Sequence, residues 1–125
     1  FLREIGIIPA LVISGDKSAA FRAAVLSGAR SKEETIVTDD ADFEDMKEMI
    51  GGYKPDLLVG NSKGGMLARE LGVPLVRVGF PIHDRFGGAR VLHLCYKGTQ
   101  QLFDRVVNAI IEYNQNNNEW GYTYM

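Results

Sequence analysis

Cysteine is nearly missing from this sequence, with Cys95 alone among 125 residues, and histidine occurs only twice. A lone cysteine excludes an internal disulfide, and two histidines ten positions apart give no recognisable metal-ligand spacing. Long apolar runs are missing as well. None approaches the roughly 20 residues that a membrane-spanning helix needs, and no leader pattern opens the chain. A net charge of −2 gives no long-range pull toward nucleic acid or an anionic membrane. The expected setting is therefore a reducing cytoplasm. What remains is ordinary for a globular protein, at 46% hydrophobic and 24% charged, and 125 residues suffice for one domain with a real core.

Four short apolar runs alternate with helical patterns. Ala10-Leu11-Val12-Ile13, Thr35-Ile36-Val37, Asp56-Leu57-Leu58-Val59 and Leu75-Val76-Arg77-Val78 are continuous rather than alternating, as parallel strands covered on both faces require. Between them, Lys17 to Leu26 is expected to bury Ala20, Phe21, Ala24 and Val25. Asp42 to Ile50 is expected to bury Phe43, Met46 and Ile50 behind an Asp40 or Asp42 cap. Ser62 to Leu71 is expected to bury Met66, Leu67 and Leu71 and to stop at Gly72, with Pro74 opening the next strand. Phe1 to Gly6 reads as the last turn of a helix that began upstream, so the 125 residues are expected to be cut from a longer polypeptide.

After a Gly- and Pro-containing loop over 80–90, Val91 to Tyr96 reads as a short strand. A long helix is expected from Gly98 or Thr99 to about Tyr113, with Leu102, Phe103, Val106, Ala109, Ile110 and Tyr113 as its apolar stripe. The segment 114–125 is expected to be a polar, mobile tail carrying Trp120, Tyr122 and Tyr124, three aromatics suited to docking on a partner. The predicted class is α/β: one three-layer, Rossmann-like domain over 1–125, with a mostly parallel four-stranded sheet flanked by helices.

In such a sheet, ligands gather at the carboxyl ends of the strands. That edge holds Ser14, Asp16, Lys17, Asn61, Ser62, Lys63 and the Gly79–Arg85 loop. Asn61, Ser62 and Lys63 could receive an anion at a helix start, and a small anion- or nucleotide-binding module is one reading. Neither the Gly-x-x-x-x-Gly-Lys-Ser/Thr order nor Gly-x-Gly-x-x-Gly is present, which favours a capped and closely packed helix start. His83 and Asp84 are neighbours and do not by that fact face each other. His93 lies in an apolar run, and Cys95 reads as a small buried hydrophobe. No nucleophile, base and orienting group assemble, so no catalytic, metal or cofactor-binding residue is predicted.

Two blocks narrow the field: Lys54-Pro55-Asp56-Leu57-Leu58-Val59-Gly60-Asn61-Ser62-Lys63-Gly64, and Gly72-Val73-Pro74-Leu75-Val76-Arg77-Val78-Gly79-Phe80-Pro81-Ile82-His83-Asp84-Arg85. Together with Tyr96-Lys97-Gly98-Thr99 and Val106-Val107-Asn108-Ala109-Ile110-Ile111, they resemble the C-terminal domain of nitrogenase β-type subunits. These are the β chain of the molybdenum–iron protein and its paralogue in the cofactor-assembly scaffold. Dark-operative protochlorophyllide reductase is a remoter relative. The resemblance implies the third of three stacked Rossmann-like domains, an α-type partner subunit in a heterotetramer, and a reductase iron protein. It also implies iron–sulfur and iron–molybdenum clusters held elsewhere in the parent complex. Where the α-type paralogue has a cofactor-binding histidine, this chain has Gly79. The family's Gly-Tyr-x-Gly is here Cys95-Tyr96-Lys97-Gly98. The loop at Phe86-Gly87-Gly88-Ala89 and the Gly121-Tyr122-Thr123-Tyr124-Met125 ending lean toward the scaffold subunit. The expected role is structural, with Phe80, Pro81, Asp84, Arg85, Trp120, Tyr122 and Tyr124 at the subunit interface.

Overall fold

A computed structural model describes residues 1–28 and 35–118. The chain divides into two compact units, Phe1–Gly51 and Gly52–Met125.

The first unit opens with a helical turn that closes in a left-handed glycine. Gly6 has φ +87°, its amide donates to the Arg3 carbonyl, and the Ile7 amide donates to that of Leu2. This paired 5→2 and 6→1 bonding satisfies the end of a helical turn. Strands β1 (Leu11–Ser14) and β2 (Ile36–Asp39) pair in parallel, Leu11 opposite Ile36 through Ser14 opposite Asp39. Helix α1 (Ala19–Ser27) begins at Ser18, whose hydroxyl accepts from the Phe21 amide. Its expected buried face does not form: none of its side chains is buried, Phe21 and Val25 are half-covered, and Ala20 and Ala24 are exposed. Phe21 and Val25 are one turn apart and share a stripe, whereas Ala20 and Ala24 lie on its flank. Helix α2 (Phe43–Ile50) has the Asp42 cap. The Asp42 carboxylate accepts from the Glu44 and Asp45 amides while Asp45 accepts from the Asp42 amide, and Ile50 is buried.

The second unit repeats the parallel pairing on a smaller scale. β3 (Leu58–Gly60) lies beside β4 (Leu75–Arg77), and the Val78 amide extends the ladder to the Gly60 carbonyl at 2.8 Å. The α/β class with parallel strands is thus present. The four strands are hydrogen-bonded as two pairs, one within each unit, in place of one four-stranded ladder.

Helix α3 (Gly64–Leu71) ends in the left-handed Gly72, with the Gly72 and Val73 amides returning to the Arg69 and Ala68 carbonyls. It begins two residues later than expected because Ser62 is engaged elsewhere. Leu67 and Ala68 are buried, whereas Met66 is 72% exposed, since it precedes the buried stripe by one helical step.

The expected strand at Val91–Tyr96 does not form. A 3-10 turn occupies Gly88–Arg90, and helix α4 (Cys95–Asn116) starts three residues ahead of Gly98. An apolar run becomes a strand only where a neighbour accepts its ladder bonds, and among the described residues no strand is paired to this one. In α4 Val106 is wholly buried, while Leu102, Ala109, Ile110 and Tyr113 are half-covered and Phe103 is exposed. The helix also continues through Asn114–Asn116, correcting the tail's expected start. Asn117 ends it, donating from its side chain to the Tyr113 carbonyl at 2.7 Å. Trp120, Tyr122 and Tyr124 lie outside the described residues. No described helix is long and apolar enough to cross a membrane.

Candidate functional site: the loop after β4

The two strands of the second unit end side by side, so the loops that follow them meet. Asn61 donates from its side-chain amide to the Phe80 carbonyl at 3.2 Å and accepts from the Lys63 amide at 3.1 Å. The Ser62 amide donates to the Pro81 carbonyl at 3.0 Å, just past a cis Phe80–Pro81 bond. Gly79 has φ +69°, a backbone conformation that favours glycine at the point where the chain leaves the sheet.

Ser62 then uses both capacities of its hydroxyl. It accepts from the His83 amide at 2.8 Å and donates to Asp84 Oδ1 at 2.7 Å. Asp84 is gripped from the other side by Arg77, whose Nε lies 2.9 Å from Oδ1 and Nη2 2.6 Å from Oδ2. The Arg77 hydrogen bonds, and after them that of Ser62, hold the Asp84 carboxyl well below the usual carboxylate range. Arg85 Nη1 caps the Asp84 carbonyl at 2.6 Å and reaches its carboxylate only at 3.5 Å. Arg77's own carbonyl accepts from Arg105 Nη1 of α4 at 2.7 Å.

The sequence-nominated residues separate accordingly. Asn61, Ser62, Pro81 and Asp84 come together in one hydrogen-bonded loop. Phe80 and Arg85 are exposed at its outer side, with Phe80 75% accessible. Within that loop, the hydroxyl that could have met a phosphate is committed to a carboxylate of the same chain. Arg77 and Arg105 were not nominated. Arg77 did leave a signal, because a charge inside the apolar run Leu75-Val76-Arg77-Val78 must find a counter-charge. Arg105, between Leu102 and Val106 in the helical stripe, left the same one.

Beyond the pin, Phe86 is 99% exposed with the Arg90 guanidinium 5.2 Å above its ring, and Leu94 and Tyr96 are 81% and 97% exposed. His83 is exposed, and so is Cys95, which was expected to be buried and has φ +60°. Among the described residues, no three His, Cys, Asp or Glu side chains converge as metal ligands would. The described donor set does not fit an iron–sulfur or iron–molybdenum cluster. This geometry tethers a loop and presents aromatics.

Parallel strands with helical crossovers, and a bonded loop at their carboxyl ends, define a Rossmann-like α/β unit with a presented edge. The sequence comparisons make the class specific. Residues 1–111 match the nitrogenase component 1 type oxidoreductase family, and the chain belongs to it. The nitrogenase molybdenum–iron protein beta chain of Methanothermobacter thermautotrophicus is 35% identical over 112 residues, 89% of this chain and 24% of that protein. The iron-molybdenum cofactor biosynthesis protein NifN of Sinorhizobium fredii is 45% identical over 74 residues, 59% of this chain and 15% of its own length. A solved structure of nitrogenase Cp1 at pH 6.5 superposes on 100% of this chain with a TM-score of 0.88 at 32% identity, using 28% of the solved chain. This chain therefore spans about a quarter of the beta chains it matches.

Proposed function

We propose that this chain is a structural and subunit-interface domain of a nitrogenase-like protein in nitrogen fixation, and that its parent is the β-like chain of the iron–molybdenum cofactor assembly scaffold. It acts as one Rossmann-like domain, the third and C-terminal one of its subunit. The observation that carries the interface is the pinned loop, because the Ser62–Asp84–Arg77 bonds order 80–86 in advance while leaving Phe80 and Phe86 bare. Ordering a contact loop beforehand lowers the entropy cost of association, and aromatic and arginine side chains are common anchors. Phe80, Pro81 and Arg85 make the contact, Asp84 holds them in place, and Trp120, Tyr122 and Tyr124 add a second contact. The partner is an α-type subunit within a heterotetramer served by a reductase iron protein. The iron–sulfur and iron–molybdenum clusters belong to that complex, and this domain ligates none of them.

The 45% identity to a cofactor biosynthesis protein supports the scaffold assignment. A second reading, the β chain of the molybdenum–iron protein itself, is favoured by the greater extent of those matches, 89% to 96% of this chain.

The test is co-purification of the full polypeptide with the α-type subunit of the scaffold and, separately, with that of the molybdenum–iron protein. Preferential retention of the scaffold subunit is expected. Phe80→Ala with Arg85→Ala should weaken it about tenfold or more, as loss of anchor residues does. Retention by the other subunit instead selects the second reading. Association unchanged by both substitutions, and by deletion of residues 120–125, removes the interface role.

A further inference from the structure

Arg105 holds an unfinished set of hydrogen bonds. Its Nη1 donates to the Arg77 carbonyl, but Nε and Nη2 are shut off from solvent and meet no acceptor among the described residues. These two nitrogens form the side-on edge of a guanidinium, the same edge with which Arg77 takes Asp84. Both are closed off in this conformation, so an acceptor reaches them only when the cleft opens.

Arg105 lines a cleft of about 250 Å³ shared with Arg77, Arg85, Ile82, Val91 and Phe86. Three guanidiniums border it, and the carboxylate beside them, Asp84, is already gripped by Arg77. The cleft therefore has surplus positive charge over an apolar floor. We propose that it is a carboxylate-binding site, in which the Nε/Nη2 edge of Arg105 takes the acid in two-pronged fashion and Ile82, Val91 and Phe86 receive its hydrocarbon stem. The walls part as the acid enters, exchanging two unpaired donors for charge-assisted bonds. Burial without a counter-charge pulls Arg105 below its usual range, and a bound carboxylate restores it. The acid can be a free dicarboxylate or a Glu or Asp side chain of an associating polypeptide, and the chemistry is shared. This site does not depend on the interface proposed above.

The test follows the Arg105 Nε–H resonance by ¹⁵N NMR while glutarate is titrated into the chain, with sodium chloride at matched ionic strength as control. A saturable shift is expected with glutarate and none with chloride. Arg105→Lys, which keeps the charge but has no planar fork, should weaken glutarate binding about tenfold or more, read by the thermal shift that glutarate produces. Arg85→Gln at the exposed mouth should weaken it less while leaving the Arg105 resonance in place, which covers the case of a misfolded Lys variant. A response that persists when the α-type subunit is bound assigns the site to a free acid. A response lost on complex formation assigns it to a partner side chain. Absence of any glutarate shift, or equal binding by the wild type and Arg105→Lys, overturns the proposal. Failure of the interface reading would appear separately, as unchanged subunit association.

Discussion

Arg77 and Asp84, seven positions apart, meet side-on with two nitrogens on two oxygens, at 2.9 and 2.6 Å. Because strand β4 fixes Arg77, the salt bridge anchors the whole returning loop to the sheet.

That pairing gives stability a defined pH dependence. The Asp84 carboxyl titrates below its usual 3.8 in the folded chain. A depressed folded value means that the folded state binds fewer protons there, so the stabilisation is complete above about pH 4 and is lost as pH falls below it. Thermal melts of wild type and Asp84→Asn should differ at pH 7 and converge as pH falls through 4 toward 2.

Ser62 is the second support of the loop, joining the His83 amide to the Asp84 carboxylate. Ser62→Ala should cost about 1.5–3 kcal/mol in urea unfolding, the usual loss for a hydrogen bond to a charged group. If its hydroxyl merely capped α3, Asp84→Asn would leave the effect of Ser62→Ala unchanged. Linkage through Asp84 predicts that the two losses are less than additive.

Gly98 lies in the first turn of a 22-residue helix, where alanine is ordinarily better by about 1 kcal/mol. Here a Cβ would stand 2.8 Å from the His93 carbonyl carbon and 3.0 Å from its nitrogen. Gly98→Ala should therefore reverse the usual sign and destabilise by about 1–3 kcal/mol, measured as a lower urea midpoint.

Cys95 presents the opposite case. Its φ of +60° is costly for an L side chain by about 1–2 kcal/mol, and glycine removes that cost. Cys95→Gly should raise Tm, whereas Cys95→Ala should leave it nearly unchanged. A loss of stability on Cys95→Gly would mean that the thiol itself packs against something.

Much of the fold could be read from local pattern. The continuous apolar runs located all four described strands, the aspartates at 40 and 42 marked the start of α2, and Gly72 followed by Pro74 ended α3. Each signal acts over a few residues, and side-chain chemistry close by in sequence decides the outcome. The Val91–Tyr96 run shows where that reading stops, since its apolar character is real but the hydrogen-bonding neighbour that a strand needs is not encoded nearby. The loop shows the same limit. In sequence Asp84 stands beside His83 and Arg85, while its closest partners are Ser62 and Arg77, 22 and 7 positions away. Only closure of the two strand ends brings those groups within reach. Gly79 and Cys95 add backbone requirements that composition does not reveal.

Helix α1 and helix α4 differ in one respect that governs their dynamics. The first keeps none of its side chains fully covered, whereas the second encloses Val106 entirely. Amide protons of Ala19–Ser27 should then trade with deuterium through small local openings, minutes or more ahead of those flanking Val106, which open only when the second unit comes apart. Fraying among the described helices should accordingly begin at the alanine-rich α1, far along the sequence from the bonded loop after β4.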